Sequence, residues 1–197
     1  RDCHGRIAGH PSLPYCIWTL WTEAVPACTS ASMSTEARWP MDRQKFREGM
    51  GQFTTGVVVV TGIESGSLVG FAAQSFVSLS LEPPLVSISP QIASTSWPRI
   101  REGRDFCINV LAEGQREVSE AFAVVGEVAA IGWQPSEVTG MPIVEGSIAH
   151  IDCRFRTEHE AGDHTIVIAD VIDLEVHDET GRPLVYFRGS YGGFVSD

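Results

Sequence analysis

The stretch GFAAQSFVSLSLEPPLVSISPQIASTS, Gly70–Ser96, sets strand-forming apolar residues among small and hydroxyl-bearing ones. We expect Leu68–Ser75 to be a strand that continues past a bulge as Phe76–Leu81. Glu82-Pro83-Pro84 should stop its pairing, because proline donates no ladder hydrogen bond, and residues 85–89 form the next strand. An ordinary core strand carries fewer side-chain donors, so we interpret the stretch as a cradle for a phosphate-bearing cofactor.

The end of this stretch, Ser94-Thr95-Ser96, lies where a loop is predicted to enter a helix. Backbone N–H groups at a helix start lack partners and favour anions. The three hydroxyls add neutral donors, and Arg99 and Arg101 follow closely. The alternative is plain N-capping by Ser96, with Pro98 in the first turn.

The beginning of the stretch offers room for a flat ring. Gly70 lets another group approach the backbone closely, and Ala72 and Ala73 are small. A barrel strand with small residues in a tapered interior would look the same. The polar edge of a ring could be hydrogen-bonded by Gln74, Ser75 and Ser78.

Outward from this stretch, the pattern predicts a mainly β protein with short helices. A helix capped by Asp42 should carry Phe46, Met50 and Phe53 on one face and end at Gly56. About seven strands suggest a closed or half-closed antiparallel barrel. The other predicted segments are strands 57–61, 106–111, 147–158, 164–177 and 184–188, a turn at 64–67, a helix over 115–124 with Val118, Ala121, Phe122 and Val125 inward, and an irregular segment 126–142 anchored by Trp133.

Composition narrows the functional classes. The 197 residues suffice for one domain with a real core, and a net charge of -11 argues against a broad nucleic-acid surface. No apolar run is long enough for a membrane-spanning helix. The five cysteines show no disulfide framework or metal-ligand spacing, and Cys107 and Cys153 should be buried. We therefore expect a reducing, cytoplasmic location.

Residues 1–40 differ from the rest. They begin with Arg1, contain scattered prolines and tryptophans, and show no clear period. A signal peptide fits poorly, because the apolar part is short and Glu23 precedes any small-residue cleavage pattern. We expect a disordered extension or a non-native leader, followed by one domain over residues 41–197.

Several common motifs are absent. There is no GxGxxG after a strand, no GxxxxGK[ST], no HExxH, no CxxC and no GxSxG, so no Rossmann, P-loop, metal or hydrolase site is expected. His164 begins a strand after a Gly-Asp turn and could contact a nicotinamide beside a redox cofactor. His159 and His177 have no such context, and we expect both on the surface.

From about Phe46 to Gly193 the chain resembles the short-chain flavin reductases of the FMN-binding split-barrel superfamily. Taken together and in order, the motifs that carry the resemblance form a strong signal. They are Phe53-Thr54-Thr55-Gly56-Val57, Gly70-Phe71, Ser75-Phe76, Ser78-Leu79-Ser80-Leu81-Glu82-Pro83-Pro84, Phe106-Cys107-Ile108-Asn109-Val110-Leu111, Gly162-Asp163-His164 and Tyr186-Phe187-Arg188-Gly189-Ser190-Tyr191.

Within that family, VGFAAQSF, LSLEPPLV and EGSIAHIDC are similar to the reductase components of secosteroid monooxygenases. Much of the family has Thr at the position of Ala72 and Asn or Ser at that of Gln74. A threonine-hydroxyl contact to flavin is therefore replaced, in our interpretation, by the backbone N–H groups of Ala72 and Ala73.

The resemblance implies an antiparallel, Greek-key split barrel that forms a homodimer. It further implies hydride transfer from NADH or NADPH to FMN or FAD, and release of reduced flavin to a separate oxygenase. His164 is the catalytic candidate and, with Arg188 and Tyr191, would face the nicotinamide. The implied flavin contacts are Val69, Gly70, Phe71, Ala72, Ala73, Gln74, Ser75 and Ser78 along the ring and ribityl chain, and Ser89, Gln91, Ser94, Thr95 and Ser96 at the phosphate.

Two alternatives remain open from the sequence. A flavin-binding carrier or sensor on the same barrel would bind flavin tightly and turn over little NADH. An oxidase of the pyridoxamine-phosphate type would release peroxide from an amine, but no basic phosphate cluster supports it.

Overall fold

The computed structural model describes residues 41–124 and 128–195. Within these ranges the helices are α1 (Arg43–Met50), α2 (Ser96–Glu102) and α3 (Arg116–Ala123), with a 3-10 turn at Val128–Ala130. The strands are β1 (Thr55–Gly56), β2 (Val58–Glu64), β3 (Ser67–Ala73), β4 (Val77–Leu81), β5 (Pro84–Ile88), β6 (Asp105–Val110), β7 (Trp133–Pro135), β8 (Pro142–Val144), β9 (Ala149–Ala161), β10 (His164–Val176), β11 (Leu184–Phe187) and β12 (Ser190–Gly193).

The main sheet has seven antiparallel strands in the order β3-β2-β6-β9-β10-β5-β4. Strands β1, β11 and β12 form a second sheet, and β7 pairs with β8. The predicted mainly β, antiparallel class with short helices is confirmed. About seven strands were predicted, which is too few, because the short strands β1, β7, β8 and β12 were not recognised.

The run Val57–Val60 is buried on both faces of the sheet. Val58 and Val60 pack into one core cluster, which surrounds Trp97, while Val57 and Val59 pack into another beneath Phe122 of α3. Since successive side chains in a strand point to opposite faces, a continuous β-branched run fits a strand covered on both sides. The predicted buried strand is therefore confirmed.

The strands on either side of Gln74-Ser75-Phe76 are not one strand with a bulge, as predicted. Strand β3 pairs with β2, whereas β4 pairs with β5, and the two lie at opposite ends of the sheet order. The prediction that Glu82-Pro83-Pro84 stops pairing was also wrong. Leu81 pairs with Pro84, so Glu82-Pro83 is the two-residue hairpin turn, and proline occupies the first position of β5.

Helix α1 is shorter than predicted. Asp42 caps it, accepting a hydrogen bond from the Gln44 N–H, but it ends at Met50, well before Gly56. The expected apolar face does not pack inward: Phe46 and Met50 are exposed, and Phe53 lies beyond the helix. The predicted apolar spacing is present, but no described residue buries this face of the helix.

Corrections elsewhere concern the irregular segments. Trp133 begins a hairpin with β8, and it is only half-buried. The last predicted strand stops at Phe187, because Arg188 and Gly189 both take positive φ angles and turn the chain into β12. In α3, Phe122 and Val118 pack inward as predicted. Val125 and residues 1–40 lie outside the described residues.

The two described cysteines, Cys107 and Cys153, lie fully buried in β6 and β9. Burial raises the pKa of both thiols. Each thiol therefore stays protonated and acts as a small apolar side chain, as predicted. No helix in the described part of the chain is long and apolar enough to cross a membrane.

Candidate functional site

A continuous groove follows β3 and reaches the loop before α2. Its first part holds about 560 Å³ and its second about 530 Å³, and the two share Ala72, Gln91, Ala123 and His164. We call the two parts together the β3 groove. The predicted site residues that line it are Val69, Gly70, Phe71, Ala72, Ala73, Gln74, Ser75, Gln91, Ser94, Thr95, Ser96, His164 and Tyr191.

The outer edge of β3 supplies the groove with backbone donors. The β2–β3 hairpin turns at Ser65-Gly66, where both residues have positive φ, so Glu64 and Ser67 flank the turn as the first bonded pair. Alternation along the ladder then directs the N–H of Ala72 outward and that of Ala73 toward Val58. Of the two predicted backbone donors, the N–H of Ala72 is therefore not used by the β2–β3 ladder, whereas the N–H of Ala73 is.

Gly70 lies in close contact with another part of the protein. A Cβ there would lie 2.5 Å from Phe122 Cε1 and 2.7 Å from the Val60 carbonyl oxygen. The group that approaches the Gly70 backbone is thus the ring of Phe122 on α3. Because Phe122 also lines the groove, Gly70 sets how closely this wall lies against β3.

The entry to α2 differs in detail from the prediction. The Trp97 N–H donates to Ser94 Oγ at 3.2 Å, so Ser94, and not Ser96, caps the first turn. Thr95 already has helical φ and ψ, so the helical turn begins one residue earlier than predicted. The Trp97 N–H therefore faces the hydroxyl of Ser94, three residues before it. The hydroxyls of Thr95 and Ser96 have no side-chain partner among the described residues and line the groove.

Neither of the two arginines that follow is a free cation. Arg99 lines the groove, but its Nε donates to Glu64 Oε2 at 2.7 Å, and this contact raises the pKa of the guanidinium and lowers that of the carboxyl. Arg101 pairs with Glu158 in a separate pocket. The anion-binding capacity of the groove therefore depends on neutral donors more than on arginine.

Replacing Ser94 by alanine should lower the free energy of unfolding by about 1 kcal/mol, the usual effect of losing an N-cap. Thr95→Ala is the matched control, because Thr95 makes no capping hydrogen bond. Denaturant unfolding without flavin measures both. Equal losses in the two variants would mean that Ser94 does not cap the helix.

His164 is the first residue of β10 and lines both parts of the groove. Its Nδ1 donates to Asp163 Oδ1 at 2.7 Å, and an isolated bridge joins its backbone to Gln91. The hydrogen bond from His164 lowers the pKa of Asp163. This contact fixes the proton on Nδ1 and leaves Nε2 available to a ligand.

The Asp163–His164 contact should make stability depend on acid pH. Since the pKa of Asp163 is lowered in the folded state, its contribution is present above the unfolded pKa of about 3.9 and is lost as pH falls through the folded value. Asp163→Asn should therefore have a slightly lower melting temperature than wild type at pH 7, and the difference should vanish at low pH. A difference that grows below pH 4 would contradict this.

The remaining predicted site residues do not line the groove. Ser89 lies beside the groove, where its N–H donates to Ser75 Oγ at 2.8 Å. Ser78 is exposed on β4 and lines neither part of the groove. Arg188 donates from Nε to Gln52 Oε1 at 2.9 Å and lines a different pocket, beside α1. Only Tyr191 of the predicted 188–191 segment reaches the groove.

Tyr186 and Ser119 are polar residues of the groove that were not predicted as site residues. Tyr186 packs edge-on against Tyr191, with ring centroids 5.1 Å apart, and the Ser119 hydroxyl lies 3.0 Å from the Tyr191 hydroxyl. Tyr186 belonged to a quoted motif, and its pairing with Tyr191 required recognising the turn at Gly189. Nothing in the sequence singled out Ser119.

Comparison with known proteins agrees with this fold. Residues 50–194 match the flavin reductase like domain family. The chain is 46% identical over 156 residues to the flavin-dependent monooxygenase reductase subunit HsaB of Mycobacterium tuberculosis, covering 78% of this chain and 83% of the relative. It is 43% identical to a flavin reductase of Pseudomonas putida, covering 81% and 94%.

Solved structures give the same result. Nitrilotriacetate monooxygenase component B from Mycobacterium thermoresistibile superposes with a TM-score of 0.74 at 44% identity, covering 78% of this chain and 87% of that one. The NADH:FAD oxidoreductase SgcE6 of Streptomyces globisporus, solved with NAD and FAD fragments, has a TM-score of 0.75 at 33% identity, covering 82% and 98%.

The chain belongs to the flavin reductase family. It is an oxidoreductase with the split-barrel fold of that family, and the predicted fold, family and enzyme class are confirmed.

Proposed function

We propose that this flavin reductase binds FMN or FAD in the β3 groove and reduces it with NADH or NADPH. The observation that carries the proposal is that one groove joins the free edge of β3, the hydroxyls of Thr95 and Ser96, and His164. Relatives named as an NADH-dependent flavin reductase and an FMN reductase (NADH) support NADH as the donor.

The residues of the groove fit a flavin. The outward N–H of Ala72 and the side-chain amide of Gln74 suit the polar edge of the ring. Gln74 keeps its N–H donors free, because its Oε1 accepts from Thr55. The hydroxyls of Thr95 and Ser96 suit the phosphate. When bound, the flavin supplies the redox chemistry, and the protein supplies position and electrostatics.

His164 and Tyr191 would hold the nicotinamide. They line the second part of the groove with Ala72 and Gln74, so a nucleotide placed there lies against the ring end of the flavin. His164 Nε2 would accept a hydrogen bond from the carboxamide, while Asp163 keeps the imidazole oriented. No described side chain needs to act as a nucleophile or a strong base.

Steady-state oxidation of NADH and NADPH with FMN and FAD tests the proposal, in all four cofactor pairs. Turnover that depends on added flavin is expected with at least one pair. Absence of flavin-dependent oxidation with every pair would contradict the proposed reductase activity. Tight flavin binding without turnover would instead identify a carrier or sensor.

We further propose that the reduced flavin passes to a separate oxygenase component, as the names of the monooxygenase reductase relatives suggest. The resemblance to secosteroid-type reductases makes a steroid-ring oxygenase the first candidate. A coupled assay with that oxygenase should consume oxygen only when the reductase, NADH and flavin are all present.

The free thiols of Cys107 and Cys153 and the need for NADH support a cytoplasmic location.

A homodimer is proposed from the apolar surface that the described residues leave uncovered. Helix α1 buries no residue, and the edge strand β4 exposes Val77, Leu79 and Leu81, the last with 91% of its surface accessible. Exposed apolar side chains on an edge strand favour association with another chain. Sedimentation equilibrium should give twice the mass of 21.4 kDa, and a concentration-independent monomer would contradict the proposal.

A further inference from the structure

Two histidines outside the groove lie in direct contact. His150 Nδ1 is 2.8 Å from His177 Nε2, and the two rings stack at 4.9 Å with an interplanar angle of 15°. His150 is buried, with 3% of its surface accessible, whereas His177 remains partly exposed. The predicted surface position of His177 is confirmed, and a second imidazole lies against its ring.

The sheet register brings a carboxylate to the same place. Glu175 of β10 is opposite His150 of β9, and His177 follows two positions later on the same face. The ligand atoms of His150, Glu175 and His177 lie within 4.8 Å of one another. These residues are far apart in sequence, which is why no ligand spacing was visible there.

A buried carboxylate stands behind this group. Asp152 is fully buried and accepts hydrogen bonds from the hydroxyls of Ser136 and Thr139, and its Oδ2 lies 3.8 Å from His150 Nε2. This distance is longer than a hydrogen bond, so Asp152 faces His150 Nε2 without fixing the orientation of the ring. His150 thus has Nε2 toward Asp152 and Nδ1 toward His177 Nε2, while Glu175 Oε1 lies 3.9 Å from His177 Nδ1.

We propose that His150, His177 and Glu175 form a binding site for a divalent transition-metal ion such as Zn²⁺. Two imidazoles, one carboxylate and a water make a common tetrahedral zinc environment. Zinc-bound nitrogens lie about 3.3 Å apart, as follows from bond lengths near 2.0–2.1 Å, so the two rings would separate slightly and the Glu175 side chain would turn from His177 Nδ1 toward the ion. His177, at the exposed end of β10, can make that adjustment.

The site lies at the other end of β10 from His164. His164 opens the strand, whereas Glu175 is its penultimate residue and His177 follows its end. The ion would tie β9 to the end of β10 and contact neither cofactor. It would therefore change the stability and not the hydride transfer, and this separates its test from that of the proposed reductase activity.

The experiment titrates the full-length, tag-free chain with Zn²⁺ and follows the heat of binding, with Co²⁺ as a spectroscopic probe. Wild type is compared with His177→Asn and Glu175→Gln, and with His159→Asn, an exposed histidine outside the group, as the matched control. Histidines and cysteines in residues 1–40 are common to all variants, so their binding cancels in the comparison.

We expect His177→Asn to weaken Zn²⁺ binding by at least about tenfold, the lower range for disturbing even an indirect contact of a zinc site. Glu175→Gln should weaken it too, and His159→Asn should not. Wild type should also show the visible Co²⁺ absorption of a four-coordinate site, and Zn²⁺ should raise its melting temperature. Equal affinities in wild type and His177→Asn, or the same loss in His159→Asn, would overturn the proposal. Wild-type NADH oxidation by His177→Asn verifies that the variant is folded.

Discussion

Gly70→Val should lower the free energy of unfolding by roughly 3 kcal/mol, at the upper end of overpacking effects. The added Cβ would meet Phe122 at 2.5 Å and the Val60 carbonyl oxygen at 2.7 Å. The ring could shift, but the carbonyl belongs to the β2–β3 ladder and cannot move without disturbing that pairing. Since Phe122 and Gly70 both line the groove, flavin affinity should fall as well.

Gly56→Val is the matched control for this substitution. Gly56 also lies in a strand, yet a Cβ there would meet no atom within 4 Å, and its φ is not in the left-handed region. Denaturant unfolding and fluorescence titration with FMN measure both variants. Wild-type stability in Gly70→Val would contradict the close contact of α3 with β3.

His164→Ala should raise the apparent KM for NADH about tenfold and leave flavin affinity nearly unchanged. A factor of ten corresponds to about 1.4 kcal/mol, the size of one hydrogen bond to a ligand. The prediction follows from the position of His164 beside Gln74 and Tyr191 in the second part of the groove, where the nicotinamide is proposed to lie. Initial rates at varied NADH and separate flavin titrations measure the two quantities.

His159→Ala serves as the control, because His159 lies on β9 and lines neither part of the groove. It should leave both constants unchanged. An equal loss of NADH and flavin affinity in His164→Ala would mean that His164 supports the fold of the loop at Gln91 and does not contact the nucleotide.

Local patterns were predictable from the sequence. The β-branched run Val57–Val60 identified a strand buried on two faces, and Ser65-Gly66 identified its hairpin turn. Each of these features depends on the chemistry of neighbouring residues. The split-barrel fold was predicted from the family motifs. Their order along the chain implies a pairing of strands that local patterns do not contain.

Features that depend on distant pairing were not predictable. Only the sheet order shows that β3 and β4 lie at opposite ends, since both have the composition of ordinary strands. The contact of Gly70 with Phe122 needs the position of α3, and that of His150 with His177 needs the register of β9 and β10. The sequence indicated a close approach at Gly70, but it did not indicate that Phe122 is the group that approaches.

Within the site, the prediction failed where one residue decides the geometry. Ser94 caps α2 because Thr95 is already helical, and a sequence of three adjacent hydroxyls does not show which one is placed to cap. Arg188 has a positive φ and contacts Gln52, and its identity in the sequence suggests neither. Most of the predicted ring and phosphate contacts nevertheless meet in one groove.

Amide hydrogen exchange of single residues, followed by NMR with and without FMN, tests the central claim most directly. The N–H of Ala72 points away from the ladder and should exchange fast in the free protein, whereas that of Ala73, directed toward Val58, should already be protected. We expect FMN to protect Ala72, Thr95 and Ser96, with no change along β4. Protection of β4 on flavin binding, with Ala72 still exchanging freely, would contradict a flavin site in the β3 groove.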